Sequence, residues 1–155
     1  MKISSYIFRE YDIRGKVGDE LSEEAVNAIG KAYGTIIKRN GGKKVVCGRD
    51  GRNSSPVLQE ALINGILSTG IDVVNIGICP TPVMYFSLFT LENVDGGIQV
   101  TGSHNPPEFN GFKICIGKET IFGPQIQKIR EIIENENFEN GKGKVEEVNI
   151  IEDYI

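Results

Sequence analysis

The sequence predicts an α/β domain of three layers, α/β/α, around a mixed and partly parallel sheet. Segments with the apolar spacing of amphipathic helices alternate along the chain with short apolar runs typical of buried strands. Such alternation indicates strand–helix–strand units, which pack helices onto the faces of a sheet. The 155 residues are 39% hydrophobic and 25% charged, which is sufficient for one domain with a sizeable core. We therefore interpret residues 1–155 as a single domain.

Four helices are predicted from their apolar spacing and from the residues at which they start. Ser22 can cap the first helix, with Glu23 and Glu24 in its first turn. Ser55 followed by Pro56 has the pattern of an N-cap and a first helical residue. The other predicted boundaries are starts at Thr81-Pro82 and Gly123-Pro124 and ends at Asn40-Gly41-Gly42 and Gly70.

Strands are predicted at the short apolar runs between these helices, which are 44–47, 71–76, 97–100 and 111–116. The loops that follow the first three of these strands are 48–55, 77–81 and 101–110. In open α/β sheets, ligands bind outside the carboxyl ends of the strands. A functional site is therefore expected at these loops.

The charge balance argues against a nucleic-acid-binding protein. The net charge is −4, whereas nucleic-acid surfaces need clustered positive charge to neutralise phosphates. No apolar run is long enough to span a bilayer, and the first residues lack the apolar core of a signal peptide. The cysteines, Cys47, Cys79 and Cys115, lack metal-ligand spacing and indicate free thiols in a reducing compartment. We expect a cytoplasmic protein without nucleic-acid or membrane partners.

The last residues leave two interpretations open. The segment 135–144 is polar, and the segment 145–155 turns apolar again. The apolar segment could form an edge strand of this domain or lead into a further one.

The stretch T-G-S-H-N-P-P-E-F-N-G-F-K-I, residues 101–114, holds the only histidine of the chain. Its two consecutive prolines stiffen the backbone next to Ser103, His104 and Asn105. In an extended segment Ser103 and His104 point to opposite sides, which disfavours a Ser–His general-base pair and hence a hydrolase. A phosphoryl group on Ser103 is one interpretation, and a turn that Ser103 and Asn105 merely cap is the other.

A phosphoserine carries roughly −1.5 to −2 charges at neutral pH and therefore requires cations nearby. Lys113 could supply one, as could the arginines of Y-D-I-R-G (11–15) and G-R-D-G-R (48–52). Arg14 could instead form a structural ion pair with an aspartate of its own motif.

The G-R-D-G-R loop is not a nucleotide-binding loop of a common type. The motifs G-x-x-x-x-G-K-[ST] and G-x-G-x-x-G are both absent from the sequence. We interpret Asp50 as a scaffold that pairs with Arg49 or Arg52.

Together, the three motifs resemble the first domain of the α-D-phosphohexomutases in order and interval, over essentially the whole chain. The Thr-Gly pair before Ser103 resembles the phosphomannomutase/phosphoglucomutase branch. The resemblance implies an isomerase of carbohydrate metabolism that interconverts hexose 1-phosphate and hexose 6-phosphate of mannose or glucose. Ser103 would be the phosphoserine, which passes its phosphoryl group to the substrate, forms a hexose 1,6-bisphosphate and takes the other phosphoryl group back.

The resemblance also implies roles for individual residues. Lys113 and His104 would take part in catalysis, Lys113 in proton transfer or charge neutralisation. Contacts to substrate or phosphate are expected from Tyr11, Arg14, Asn105, Arg49 and Arg52. A magnesium ion would bind the phosphate on Ser103 and assist transfer as a Lewis acid.

Members of this family have four domains, and the sequence corresponds to the first. The aspartate-rich metal loop, the sugar-recognition loop and the phosphate-binding loop of the other three are not in the sequence. We expect residues 1–155 to be a fragment of a longer enzyme, inactive by itself, with further magnesium ligands from the remaining domains. The resemblance also implies that the apolar segment 145–155 begins the connection to the next domain. The alternative is a stand-alone sugar-phosphate-binding or interaction module without turnover.

Overall fold

A mixed sheet lies at the centre of the protein, with helices on both faces. The computed structural model describes residues 3–102 and 105–149, and these contain seven strands and four α-helices. The strands are β1 (Ile13–Lys16), β2 (Lys44–Arg49), β3 (Asp72–Ile78), β4 (Gly96–Val100), β5 (Phe109–Ile116), β6 (Glu119–Thr120) and β7 (Val145–Glu147). The helices are α1 (Glu23–Arg39), α2 (Ser55–Leu67), α3 (Thr81–Thr90) and α4 (Pro124–Glu134), preceded by a 3₁₀ turn at Ser5–Ile7. The predicted three-layer α/β/α class is confirmed.

The sheet order is β1-β5-β4-β2-β3-β7, with β6 paired to β5. Strand β2 is parallel to both β3 and β4, whereas β5 is antiparallel to β4 and β1. The carboxyl ends of β2, β3 and β4 therefore lie at one edge of the sheet, and β5 begins at that same edge. This edge is hereafter called the carboxyl edge, and it is where the sequence predicts a functional site.

Helix α1 begins and ends where its sequence predicts. The hydroxyl of Ser22 accepts a hydrogen bond from the amide of Ala25 at 3.1 Å, which satisfies one unpaired donor of the first turn. Asn40 occupies the C-cap, and Gly41 follows with a φ of 85°, a conformation that favours glycine.

Helix α2 begins one residue earlier than the predicted N-cap at Ser55 implies. Ser55 is the first helical residue instead of the N-cap, and Ser54 takes the cap position without a side-chain capping bond. The physical reason is that the Ser55 hydroxyl is used elsewhere, since it donates to the carboxylate of Asp50. The predicted cap was therefore wrong by one position.

The end of the described chain forms an edge strand. Strand β7 pairs in parallel with β3, with Val145 opposite Val73. Of the two interpretations of the apolar tail, the edge strand is confirmed for Val145–Glu147, while residues 150–155 lie outside the described part of the chain.

Side chains of the central strands alternate between two apolar clusters. Helices α1, α2 and α4 cover the cluster that contains Val45, Cys47, Ile98 and Phe112. Helix α3 covers the other cluster, which contains Val46, Val74, Ile76 and Cys115. The three cysteines are free, as predicted, and the structure shows that all three are buried. Burial raises the pKa of the Cys47 thiol to about 12. Among the described helices none combines the length and apolarity that a membrane span requires.

Helices α1 and α2 approach each other through glycines. A Cβ atom added at Gly65 would lie 2.2 Å from the carbonyl oxygen of Asn27, and one at Gly30 would lie 2.3 Å from the carbonyl oxygen of Leu62. Both distances are far below van der Waals contact, and the obstructing atoms belong to the backbone. The close packing of the two helices therefore depends on both glycines.

We expect Gly65→Ala to lower the free energy of unfolding by roughly 2–3 kcal/mol. The steric overlap with the backbone of α1 destabilises the fold by more than the higher helix propensity of alanine stabilises it. Urea denaturation measures the change. Gly51→Ala is the control, since nothing lies within 4 Å of a Cβ added there. If the two substitutions changed stability equally, the proposed close packing of α1 against α2 would be contradicted.

Candidate active site

The loop between β4 and β5 lies at the carboxyl edge and carries the predicted nucleophile. Ser103 and His104 lie outside the described residues, so their predicted roles remain predictions. The residues on either side of them are joined, because the amide of Asn105 donates to the carbonyl of Gly102 at 3.0 Å. The side-chain amide of Asn105 donates to the same carbonyl at 2.8 Å. The side chain of Asn105 therefore caps the Gly102 carbonyl, as one interpretation of the sequence expects of it, while the capping role of Ser103 in that interpretation stays a prediction.

The guanidinium of Arg52 holds this loop by its carbonyl groups. Nη2 donates to the carbonyl of Asn105 at 2.6 Å, and Nη1 donates to those of Pro106 and Phe109 at 2.8 and 3.2 Å. A Cβ atom at Gly102 would lie 2.2 Å from Cζ of Arg52, so only glycine admits the guanidinium here. These contacts show that Arg52 supports the loop. The sequence predicted a contact of Arg52 with phosphate and did not predict this supporting role.

Asp50 connects Arg52 to the start of the loop. Its Oδ2 accepts from the amide of Gly102 at 2.9 Å and lies 3.4 Å from Nε of Arg52, and its Oδ1 accepts from the Ser55 hydroxyl and the Arg52 amide. Burial alone would raise the pKa of Asp50, but hydrogen bonds from Ser55, Gly102, Arg52 and Thr101 outweigh it and hold the pKa below its ordinary value. The scaffold role predicted for Asp50 is confirmed.

A buried amide joins the same network to β5. Asn110 is fully buried, and its Nδ2 donates to the hydroxyl groups of Ser54 and Ser55 at 2.9 Å each. Its Oδ1 accepts from the amide of Gly111. Sequence reasoning treated Ser55 only as a helix cap and did not select Ser54 or Asn110. The available signal was the pair of serines at the start of a predicted helix, directly after the charged loop.

Arg14 and Lys113 lie on neighbouring strands around the carboxylate of Asp12, which the sequence suggests only as an ion-pair partner of Arg14. Arg14 of β1 is opposite Gly111 of β5, two residues before Lys113. Nε of Arg14 donates to Oδ1 of Asp12 at 3.1 Å, and Nζ of Lys113 lies 3.7 Å from its Oδ2. The structural ion pair considered for Arg14 is therefore present, and Asp12 brings both predicted cations together.

Tyr11 and Arg49, the other two predicted contact residues, have fewer interactions with the residues of this site. Tyr11 is 69% exposed, beside Asp12 in the chain. Arg49 is the last residue of β2, and its Nη1 donates to the carbonyl of Asp50 at 3.3 Å. Arg49 therefore lies at the carboxyl edge. Tyr11 precedes β1, and it is the last residue of β1, Lys16, that pairs with the start of β5 at that edge.

The described residues do not by themselves fit a magnesium ion. They contain no group of three histidine, cysteine, aspartate or glutamate side chains that could hold a metal. The carboxylate of Asp50 is occupied by donors, and that of Asp12 by two cations. Any magnesium ion would need ligands from outside this set, since it prefers octahedral oxygen coordination.

The fold and the site define an α/β/α domain that presents a pinned loop at the carboxyl edge of its sheet, beside two cations. The chain belongs to the phosphoglucomutase/phosphomannomutase family. The family model described as phosphoglucomutase/phosphomannomutase, alpha/beta/alpha domain I, matches residues 5–140. The family resemblance deduced from the three motifs is thereby confirmed.

Individual relatives agree with this assignment. The chain is 47% identical over 149 residues to a phosphomannomutase/phosphoglucomutase of Pseudomonas aeruginosa, covering 96% of the chain and 32% of the relative. It is 41% identical over 155 residues to a phosphoglucomutase of Neisseria meningitidis, covering 99% of the chain and 34% of the relative. The solved structure of a phosphoglucomutase/phosphomannomutase family protein from Burkholderia thailandensis superposes with a TM-score of 0.95 at 42% identity, covering 99% of the chain and 35% of that protein. The chain spans about a third of the length of these relatives.

Proposed function

We propose that this chain is the phosphoserine domain of a phosphohexomutase that interconverts the 1- and 6-phosphates of mannose or glucose. The observation that carries the proposal is the loop around Ser103, which Asp50 and Arg52 pin at the carboxyl edge close to two partly exposed cations. The names of the relatives, phosphomannomutase and phosphoglucomutase, support the substrate class.

In the proposed reaction, Ser103 carries a phosphoryl group to the sugar and back. The bond between phosphorus and Ser103 Oγ breaks as an oxygen of the hexose monophosphate forms the new P–O bond. The hexose hydroxyl loses its proton, and Ser103 Oγ regains one. The resulting hexose 1,6-bisphosphate then returns its other phosphoryl group to Ser103, so that no phosphate is consumed.

The cations of the site have separate tasks in this proposal. Lys113 neutralises charge on the transferring group or moves the proton, since its ammonium is partly exposed, with 33% of the side chain accessible. Arg14 is the candidate phosphate ligand, because only its Nε is bonded to Asp12 and its terminal guanidinium nitrogens can donate to phosphate oxygens. His104, Asn105, Tyr11 and Arg49 are further proposed contacts of substrate or phosphate.

The proposed enzyme needs further parts. Because the described residues do not fit magnesium alone, the ion would bind the phosphate on Ser103 together with ligands from other domains of a four-domain enzyme. Bound there, it would supply Lewis-acid assistance to phosphoryl transfer. We expect the 155-residue chain alone to lack continuous turnover.

The test is the intact mass of the chain after incubation with glucose 1,6-bisphosphate. We expect wild-type protein to gain the mass of one phosphoryl group, and Ser103→Ala to gain none. Binding of the bisphosphate by calorimetry without any mass gain would instead support a sugar-phosphate-binding module. An equal gain in the variant would contradict the role of Ser103.

A further inference from the structure

Asp12 is held firmly between the two cations of the site. It is 8% exposed, and its backbone carbonyl accepts from the amide of Arg9 at 2.9 Å. The next residue, Ile13, is fully buried and pairs with Phe112 of β5. The position of the carboxylate is therefore fixed by backbone pairing on both sides.

The carboxylate of Asp12 contacts each cation but leaves most of the hydrogen-bond donors of Arg14 and Lys113 unoccupied. Arg14 contacts it through Nε alone, and Lys113 lies at 3.7 Å, beyond hydrogen-bonding distance. Within the described residues, the terminal nitrogens of Arg14 and the ammonium of Lys113 have no hydrogen-bond partner. Both cations therefore keep donors available for an anion.

Arg52 shows the opposite arrangement. Its two terminal nitrogens donate to three loop carbonyls, its Nε faces Asp50, and its side chain is only 19% exposed. The side chains of Arg14 and Lys113 are 38% and 33% exposed, whereas that of Asp12 is 10% exposed. An anion that approaches from solvent thus meets two cations, with the carboxylate behind them.

Two cations on adjacent strands repel each other and, being long side chains, would otherwise sample many rotamers. A buried carboxylate between them offsets the repulsion and limits the rotamers. The three groups together keep one net positive charge, and their geometry is set before an anion arrives. Such preorganisation is what favours charge development in phosphoryl transfer.

We propose that Asp12 is a positioning residue that holds Arg14 and Lys113 in place, with donors free, to receive the transferring phosphoryl group. This inference rests on the proposed function of the domain. It assigns phosphate contact to Arg14 and Lys113 and a purely supporting role to Asp12.

The first arm of the test is kinetic and uses Asp12→Asn, Lys113→Met and the double variant. The rate of phosphoryl gain from glucose 1,6-bisphosphate should fall roughly ten- to a hundredfold in Asp12→Asn, as expected when catalytic groups are displaced. In the Lys113→Met background the further loss should be smaller, because Asp12 then positions only Arg14 and residues that act through each other are not additive. Asp12→Glu should recover part of the rate. Equal losses in both backgrounds would overturn the proposal.

The second arm is structural and needs no activity. Crystal structures of the wild-type chain and Asp12→Asn should show an unchanged sheet with Arg14 and Lys113 displaced in the variant. Both side chains remaining in place would overturn the proposal. Asp19→Asn is the matched control, since its contact with Lys16 is at 3.7 Å and largely exposed, and it should alter neither readout. If the wild-type chain gains no phosphoryl group, the proposed function fails, and this arm still decides the role of Asp12.

Discussion

Replacing Lys113 by methionine should cut mutase turnover of the proposed four-domain enzyme by roughly a hundredfold or more, the usual effect of losing a proton-transfer or charge-stabilising group. The methionine keeps a flexible apolar stem on β5 and removes only the ammonium. Stability should change by about 1 kcal/mol or less, because a partly exposed ion pair contributes little. Asp12 also retains Arg14 as a partner at 3.1 Å. Turnover per folded protein and thermal unfolding measure the two effects.

Lys118→Met is the matched control for this substitution. Lys118 follows the same strand at its far end, where its ammonium lies 4.9 Å from the centre of the Phe89 ring. It should lower stability by about 0.5–1 kcal/mol through the lost cation–π contact and leave turnover unchanged. A collapse of thermal stability in Lys113→Met would show that Lys113 is structural and that its proposed role is wrong.

Replacing Asp50 by asparagine should damage both stability and turnover. The carboxylate accepts from a hydroxyl and two backbone amides and forms an ion pair with the Arg52 guanidinium. A neutral asparagine amide loses the ion pair and can accept from only some of these donors. We expect a loss of about 2–3 kcal/mol in the free energy of unfolding, typical of broken hydrogen bonds to a charged group. Turnover should fall more than tenfold, because the loop that bears Ser103 loses its anchor.

Asp95→Asn separates the loop effect from a general loss of stability. Asp95 is also a structural carboxylate, and its Oδ2 accepts from the amides of Lys43 and Lys44 at 2.7 and 3.2 Å, at the opposite edge of the sheet. This variant should lose stability but keep full turnover per folded protein. Equal turnover in both variants would contradict the proposed anchoring of the loop by Asp50.

The pH dependence of the free energy of unfolding provides a second measure of how much the Asp50 carboxylate stabilises the fold. Because hydrogen bonds lower its pKa in the folded state below the ordinary value of 3.8, ionisation favours folding. This stabilisation is fully present above about pH 4 and is lost as the pH falls through the folded-state pKa. Acid titration of unfolding should therefore show a component in the wild-type protein that Asp50→Asn lacks.

The helices and central strands could be predicted because their signals are local. The Ser22 cap and the Asn40-Gly41 end of α1 act within one turn of the helix. Strand β1 was missed because it has four residues, Ile-Arg-Gly-Lys, without an apolar alternation. It forms only through pairing with β5, nearly a hundred residues away in the chain. Strand β7 remained ambiguous for the same reason, since its partner β3 is distant in sequence.

The location of the site could be predicted, but the division of work among its residues could not. Parallel strands bring their following loops to one edge, so the loops after β2 and β4 had to meet. Arg14 and Arg52 look alike in sequence, since each stands in a charged, glycine-containing motif. Only the fold shows that the Arg52 donors are occupied by carbonyls and that Arg14 touches Asp12 through one nitrogen. No motif spacing reveals the contacts of Asn110 with Ser54 and Ser55 or the contact of Asp12 with Lys113.

The central claim is that the pinned loop carries a phosphoryl group to a hexose phosphate, and a single-turnover discharge tests it most directly. The proposed four-domain enzyme, phosphorylated on Ser103 and freed of excess bisphosphate, would be mixed with glucose 1-phosphate or mannose 1-phosphate. We predict that one hexose 1,6-bisphosphate appears for each phosphoryl group lost from the protein, and that Ser103→Ala yields none. Release of inorganic phosphate without any bisphosphate would contradict the account.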